Sequence, residues 1–316
     1  MPDLTIAKSH CPAISTECRV TAEDELAGIG RAVGWDLGAE REVLAGAASG
    51  SRVYRVRVDG MDAVLKVTTA GPGQSAARRE LRFYQTLARQ VPVTTPALLR
   101  HADDDNLTAI LLSAHPPALP ARDWDLPAWR RVAREVADLH STPVPEQSSW
   151  LDTPWLQQIL DRSSVDSAGA YWSRTEAAHR VDRVLEKPEA LAAAVAATED
   201  RFLHGDCHVG NLLGDGSRLV WADWQVAGVG KPAVDLAFLW SRAHADGAEP
   251  PYAAMVDEYL ARSEIDKAAL QRSLIAAELG VLLFGWPAFA AHRTQAERDR
   301  LTRRLIQLIE GWNRSA

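Results

Sequence analysis

The stretch from Arg201 to Leu213, RFLHGDCHVGNLL, packs two histidines, a carboxylate, a thiol and an amide into the eight residues His204 to Asn211. Three chemistries compete for it. His204, Asp206 and His208 alternate as ligands of a metal site do. Cys207 beside a histidine suggests a nucleophile. Asp206 followed five residues later by Asn211 suggests a base and a ligand for a hard cation. The rest of the chain decides among them.

Downstream, Asp223 lies 17 residues after Asp206, at the end of the apolar strand RLVWAD. Upstream, Lys66 sits in AVLKV, an apolar strand where an ammonium needs an anion, and Glu80 follows 14 residues later on a helix. Before Lys66 comes GAASGS, Gly46 to Ser51, small residues in a strand-turn-strand where Ser49, Gly50 and Ser51 let backbone amides approach phosphate. His204-x-Asp206-x4-Asn211, followed by Asp223, has the spacing of a kinase catalytic loop and its metal carboxylate. Phosphoryl transfer needs these types: a carboxylate to orient the acceptor hydroxyl and take its proton, and oxygen ligands to hold magnesium against the phosphates.

The surrounding periodicity supplies a frame. Val53, Arg55 and Arg57 alternate, then Ala63, Leu65 and Val67, with Asp59-Gly60 between them; this is a β-hairpin pattern. Ala77, Leu81, Tyr84 and Leu87 follow at helical spacing, closed by Pro92 and Pro96. Two further strands flank the polar turn Asp103 to Asn106, and the prolines of HPPALPARD form a connector. From Trp124 the chain is mainly helical. The division expected is a nucleotide-binding lobe over 1–115, with 1–40 as an N-terminal extension, and a helical catalytic and substrate-binding lobe over 116–316.

Composition narrows the classes. The 316 residues are 47% hydrophobic and 24% charged, enough for a sizeable core. The first residues lack a basic segment followed by an apolar core, and no run approaches roughly 18 uninterrupted apolar residues, so a cytoplasmic protein with no membrane partner is expected. Cys11, Cys18 and Cys207 are odd in number and irregularly spaced, fitting neither a disulfide framework nor a structural zinc site. The net charge of −7 falls almost entirely after residue 115, which argues against a nucleic-acid partner. Oligomeric state is not legible.

FLHGDCHVGNLL, together with VWADWQVAGVGKPAVDLAFL, resembles the aminoglycoside phosphotransferase and choline kinase family, small-molecule relatives of the protein kinases. The resemblance runs from about Glu42 onward. It implies an α+β, bilobal protein-kinase-like fold, with a small antiparallel β-rich N-lobe carrying one packed helix and a larger, mainly helical C-lobe. It also implies ATP or GTP as phosphate donor, Mg2+ as cofactor and a small-molecule hydroxyl as acceptor. By the same likeness Asp206 is the catalytic base, Asn211 and Asp223 hold the metal, Lys66 contacts phosphate with Glu80 as its partner, and Asp235 braces the catalytic loop. Leu111 to His115, including Ser113 and His115, falls where the family offers backbone groups to the nucleotide base. The metal motif is Asp-Trp-Gln where protein kinases have Asp-Phe-Gly.

Other readings are weaker. A zinc-dependent hydrolase lacks a second ligand cluster among the scattered histidines, and Cys207 lacks a base and an orienting partner. An inactive nucleotide-binding module would have lost part of the polar set, which is complete. For the acceptor, Trp224 beside Asp223 and Trp286 in LFGWPAF are the aromatic faces to test. An antibiotic or related natural product is the leading expectation, and a metabolic sugar or amino-alcohol is the alternative.

Overall fold

The computed structural model describes residues 26–37, 41–44, 50–117, 119–144, 149–151, 161–214 and 218–314. They form two compact units. One holds the described residues up to Arg89 together with Thr95–His115; the other holds Gln90–Thr94 and the described residues from Pro116 onward.

The first unit is a five-stranded antiparallel sheet. Its strands are β1 (Arg41–Leu44), β2 (Arg52–Val58), β3 (Met61–Thr69), β4 (Leu98–Asp103) and β5 (Leu107–Ser113), in the order β1-β2-β3-β5-β4. The β2–β3 turn falls on Asp59-Gly60, as the sequence predicts. Both residues have positive φ, 52° and 76°, the pair of left-handed conformations that matches the twist of a two-residue hairpin. That turn sets the register Val58↔Met61 and, further along, Val53↔Lys66.

Alternation along β3 sends its side chains to opposite faces. Ala63, Leu65 and Val67 join Tyr54, Val56, Ala109 and Leu111 in one apolar cluster, which Leu26 and Leu37 complete. Leu26 lies in a helix described over 26–33, here α1. The segment expected to be an extension therefore contributes, in its described part, to the core of the sheet. Lys66 points to the opposite face, where α2 (Gln74–Thr86) presents buried Ala77, Glu80, Leu81 and Tyr84.

The second unit is built mainly from helices: α3 (Leu126–His140), α4 (Arg162–Trp172), α5 (Ala178–Leu185), α6 (Pro188–Ala196), α7 (Ala233–Ala245), α8 (Tyr252–Leu260), α9 (Lys267–Gly280), α10 (Pro287–Ala290) and α11 (Gln295–Arg314). Two short antiparallel ribbons interrupt them. β6 (Arg201–Leu203) pairs with β9 (Gly228–Gly230), and β7 (Leu212–Leu213) pairs with β8 (Val220–Trp221). Asp125 caps α3 by accepting from Ala128 N, and Asp266 caps α9 from Ala269 N. A π-helical turn, Val281–Gly285, follows α9.

The helical stretch Lys267–Gly285 is long and apolar enough to cross a membrane by length and composition. Its packing is that of a core helix. Buried Glu278 accepts two hydrogen bonds from Arg304 of α11, at 2.8 and 2.6 Å, a bidentate pair that binds the two helices together.

Candidate active site

The loop from His204 to Asn211 leaves β6 through Gly205, whose φ of +81° belongs to the left-handed region. A side chain there has no room, because a Cβ would lie 2.2 Å from the carbonyl oxygen of Val226. Gly205→Ala is therefore expected to displace one of the two chain segments and cost at least about 2 kcal/mol. Thermal unfolding of the variant against wild type measures it.

One carboxylate fixes the start of the loop. Asp235, in the first turn of α7, is fully buried. Its Oδ2 accepts from His204 N and its Oδ1 from Gly205 N, both at 2.8 Å. Oδ2 also lies 3.2 Å from His140 Nε2, while His140 Nδ1 lies 2.9 Å from the Tyr259 hydroxyl. Burial pushes the Asp235 carboxyl up, but the hydrogen bonds and the histidines facing it outweigh burial and hold it below the usual range. Three helices, α3, α7 and α8, thus meet on the two peptide units that open the loop.

The histidines of the loop hold it in shape. His204 is buried; its Nε2 donates to Ala222 O at 3.0 Å and its Nδ1 accepts from Asp206 N at 3.3 Å. Burial pushes this imidazole down, away from protonation, which fits a neutral ring with the proton on Nε2. With both nitrogens engaged, His204 has no lone pair for a metal, and the alternating-ligand reading fails there. Among the described residues no group of three or more His, Cys, Asp or Glu side chains is placed to hold a metal ion. His208 Nδ1 accepts from Gly210 N at 3.1 Å, so its Nε2 faces Asp206 Oδ2, 3.6 Å away. Cys207 is buried, and burial raises its thiol well above the ordinary value; a nucleophile needs the opposite.

Asp206 and Asn211 meet. The Asn211 amide donates from Nδ2 to Asp206 O at 3.0 Å and to Asp206 Oδ2 at 3.1 Å, which leaves its Oδ1 as the atom with an affinity for cations. Burial pushes the Asp206 carboxyl up, yet His208, His204 and the Arg242 guanidinium outweigh it, and the group sits well below the usual carboxylate range.

Asp223 arrives by strand pairing. Leu212 opposes Trp221 in the β7–β8 ribbon, and Ala222 N donates to Asn211 O at 2.9 Å. The chain then turns at Asp223, whose φ of 69° is left-handed although it is not glycine. Such a conformation costs about 1–3 kcal/mol and persists where surrounding structure imposes it, commonly at functional sites. An amide oxygen and a carboxylate at adjoining backbone positions, with no thiolate or free imidazole nitrogen among them, fit magnesium rather than zinc.

In the other unit, Lys66 Nζ lies 2.5 Å from Glu80 Oε2, and both side chains are almost wholly buried. Ser51 is buried with its Oγ 2.6 Å from Thr68 Oγ1, so its hydroxyl is tied to the neighbouring strand. Gly50 has φ +77°, and a Cβ there would meet nothing within 4 Å; Ser49 lies outside the described residues. Ser113 donates its N–H to Ala97 O and accepts Ala97 N at Oγ, and Ala114 donates to Asp62 O. The N–H groups of Ser113 and Ala114 are thus committed within the first unit. That narrows the expectation that 111–115 reads a nucleotide base to carbonyl oxygens and to His115, whose Nε2 lies 3.0 Å from Ser113 Oγ.

The two tryptophans singled out as acceptor contacts are core residues. Trp224 has no exposed surface: its Nε1 donates to Trp221 O at 2.8 Å, and its ring lies 4.5 Å from that of His204. It backs the loop from below and offers no face to an acceptor. Trp286, at the end of the π turn, is 6% exposed.

A family model described as the phosphotransferase enzyme family matches residues 41–272. The chain belongs to that family. Among solved structures of similar fold is a choline/ethanolamine kinase family protein from Mesorhizobium loti, with TM-score 0.64 and 18% identity over 94% of this chain and 97% of that one. Another is the aminoglycoside phosphotransferase APH(3'')-Id from Streptomyces rimosus in complex with ADP and streptomycin, with TM-score 0.54 and 21% identity over 81% and 98%. At these identities the likeness is one of fold, and that fold is protein-kinase-like. Among curated proteins, thiamine kinase from Escherichia coli strain UMN026 is 32% identical over 106 residues. The match takes in 33% of this chain and 37% of that relative's length. The phosphotransferase family model includes Lys66, Glu80, Asp206, Asn211, Asp223 and Asp235, and stops before Trp286.

Proposed function

We propose that this protein is a small-molecule kinase that moves the γ-phosphate of ATP or GTP to a hydroxyl of its acceptor with magnesium bound. The observation that carries the reading is the meeting of Asp206 with Asn211, and of Asn211 with the backbone leading into Asp223. Family membership supports it.

Asn211 Oδ1 and the Asp223 carboxylate would hold the metal. Bound magnesium supplies positive charge to the phosphate oxygens and so eases charge build-up during transfer. Asp206 accepts a hydrogen bond from the acceptor hydroxyl and aims its oxygen at the phosphorus. The proton moves to it late, as a loose, metaphosphate-like transition state allows. Lys66, held in place by Glu80, contacts the nucleotide phosphates, and the Gly50–Ser51 turn approaches them through backbone amides.

The acceptor we favour is an antibiotic or related natural product; the complex of the Streptomyces rimosus relative with streptomycin supports a site of this kind. A metabolic amino-alcohol is the second reading, favoured by the match to thiamine kinase. The site of action proposed is the cytoplasm, where nucleoside triphosphate is plentiful. The test is nucleotide consumption across a panel of hydroxylated antibiotics, amino alcohols, thiamine and sugars, with ATP and GTP each supplied with magnesium. Absence of magnesium-dependent phosphorylation of every acceptor, together with failure to bind either nucleotide, would falsify the proposal.

Lys66→Ala is expected to act through the nucleotide. It removes a cation from the phosphates and leaves buried Glu80 without its ammonium, a change of about 3–5 kcal/mol for broken buried pairs. Nucleotide binding weakens as well as turnover, which isothermal titration beside steady-state kinetics separates. Normal nucleotide affinity in this variant would exclude Lys66 as the phosphate contact.

A further inference from the structure

Of the two imidazoles in the loop, His204 is committed at both nitrogens to the loop's own backbone, whereas His208 has one nitrogen left over. His208 stands in extended backbone, φ −148° and ψ 160°, directly before the single 3₁₀ turn Val209–Asn211, and its Nδ1 accepts from Gly210 N at 3.1 Å. A neutral imidazole has one donor and one acceptor nitrogen. With the lone pair of Nδ1 taken by an N–H, the proton sits on Nε2, and that nitrogen can only donate. In this form His208 cannot take a proton from an acceptor hydroxyl. The ring of Phe238, on α7, lies 6.1 Å away at an interplanar angle of 55° and backs the imidazole from the helix side.

The remaining nitrogen faces the proposed base. His208 Nε2 lies 3.6 Å from Asp206 Oδ2, the same oxygen that accepts from Asn211 Nδ2 at 3.1 Å. The His208 contact is longer than a hydrogen bond; it is a donor dipole aimed at a carboxylate, and such contacts at catalytic groups close up when substrate binds. The terminal torsion of an aspartate is broad, and two donors converging on one oxygen restrict it. Oδ1 is left over. It takes no hydrogen bond from any described residue, and the Asp206 side chain is 24% exposed.

Asn211 alone is a poor clamp, because the other end of its amide is the oxygen proposed to hold magnesium, and a pull there moves Nδ2 as well. The His208 side chain meets Asp206 without meeting a proposed metal ligand, so it can hold the carboxylate whether or not metal is loaded. A reacting group must be held to within about half an ångström by supporting contacts of this kind. Resting on the kinase reading above, we propose that His208 is a positioning residue: its Nε2–H pins Asp206 by Oδ2 and leaves Oδ1 as the oxygen that orients the acceptor hydroxyl.

Two substitutions separate this role from mere support of the turn. His208→Asn keeps an oxygen near the place of Nδ1, where asparagine caps a turn well, but stops one bond short of Asp206. His208→Gln reaches Asp206 with a donor and gives up the cap. His208→Asn is expected to keep the thermal midpoint and the nucleotide affinity of wild type and to lower kcat about ten-fold or more. His208→Gln is expected to lower the midpoint and to recover most of the kcat that His208→Ala loses. Full turnover in His208→Asn, with His208→Gln no better than His208→Ala, makes His208 a support of the turn and overturns the proposal. Turnover is read on an acceptor found in the panel and, with water in its place, as magnesium-dependent nucleotide hydrolysis. Long-range 1H–15N spectra of the full chain need no turnover: the His208 ring, assigned by its loss in His208→Asn, carries its proton on Nε2, and Asp206→Asn shifts that nitrogen. A proton on Nδ1, or an Nε2 signal unmoved by Asp206→Asn, also overturns the proposal. The kinase reading fails separately, when neither nucleotide binds with magnesium, and the spectra then judge the His208–Asp206 contact by itself.

Discussion

Asp206→Asn is expected to lower kcat by about 10²-fold or more while leaving nucleotide affinity nearly unchanged. Asparagine keeps the size of the side chain and one acceptor oxygen, so the Asn211 amide still has a partner and the loop keeps its path. What disappears is the charge that orients the hydroxyl and receives its proton. Steady-state kinetics on an acceptor found in the panel, beside nucleotide binding measured separately, tests both halves. A kcat close to wild type would mean that His204 to Asn211 is not a phosphoryl-transfer loop. The pH profile carries the same signature. With its pKa depressed, the Asp206 carboxyl is ionised at neutral pH and stays so as pH falls through the ordinary aspartate range. An acid limb of kcat/KM near pH 6 would therefore belong to another group.

Asp235→Ala is expected to do the largest damage to stability, about 3–5 kcal/mol. The N–H groups of His204 and Gly205 and the Nε2 of His140 all lose their acceptor at once, in a place water does not reach. Chemical denaturation against wild type measures the cost, and a loss under about 1 kcal/mol would contradict the bracing role. The sign of its pH dependence follows from the direction of the shift. The folded pKa is depressed, so the stabilisation is complete above the unfolded value and declines as pH falls toward and through the folded one. The gap between wild type and variant should narrow on acidification.

How much of this was legible in the sequence follows the range of the interactions. Hairpin, helix and strand order came from local patterns, since Asp59-Gly60 can take two positive φ angles and since apolar spacing follows the period of each element. The Lys66–Glu80 pair and the Asp206–Asn211 contact were also readable, because strand-to-helix and within-loop spacings are short and fixed. Asp235 came through its DLA context. His140 and Tyr259 did not: His140 reaches Asp235 from 95 residues away along the chain and Tyr259 reaches His140 from 119, and neither has a local pattern apart from that of an ordinary buried helix face.

Trp224 was misjudged for a geometric reason. Adjacency to Asp223 suggested a shared direction, but neighbouring residues at the end of a strand diverge, and the left-handed turn at Asp223 sends the indole inward. Residues 26–37 show no alternation to announce that Leu26 and Leu37 seal the sheet, since helix packing on a sheet is a matter of the assembled surface.

The sealed thiol of Cys207 makes the loop a clock. A sulfhydryl with no exposed surface, its ionisation suppressed by burial, reacts with a disulfide reagent only during excursions that lift the His204–Asn211 segment off its helices. With Cys11 and Cys18 replaced by serine, the labelling rate of the remaining thiol becomes a count of openings per second. When labelling outpaces reclosing it reports the opening rate, and at lower reagent concentration it reports the fraction of time spent open. The protein therefore carries, within the segment proposed to do the chemistry, a probe that any ligand steadying that segment should slow.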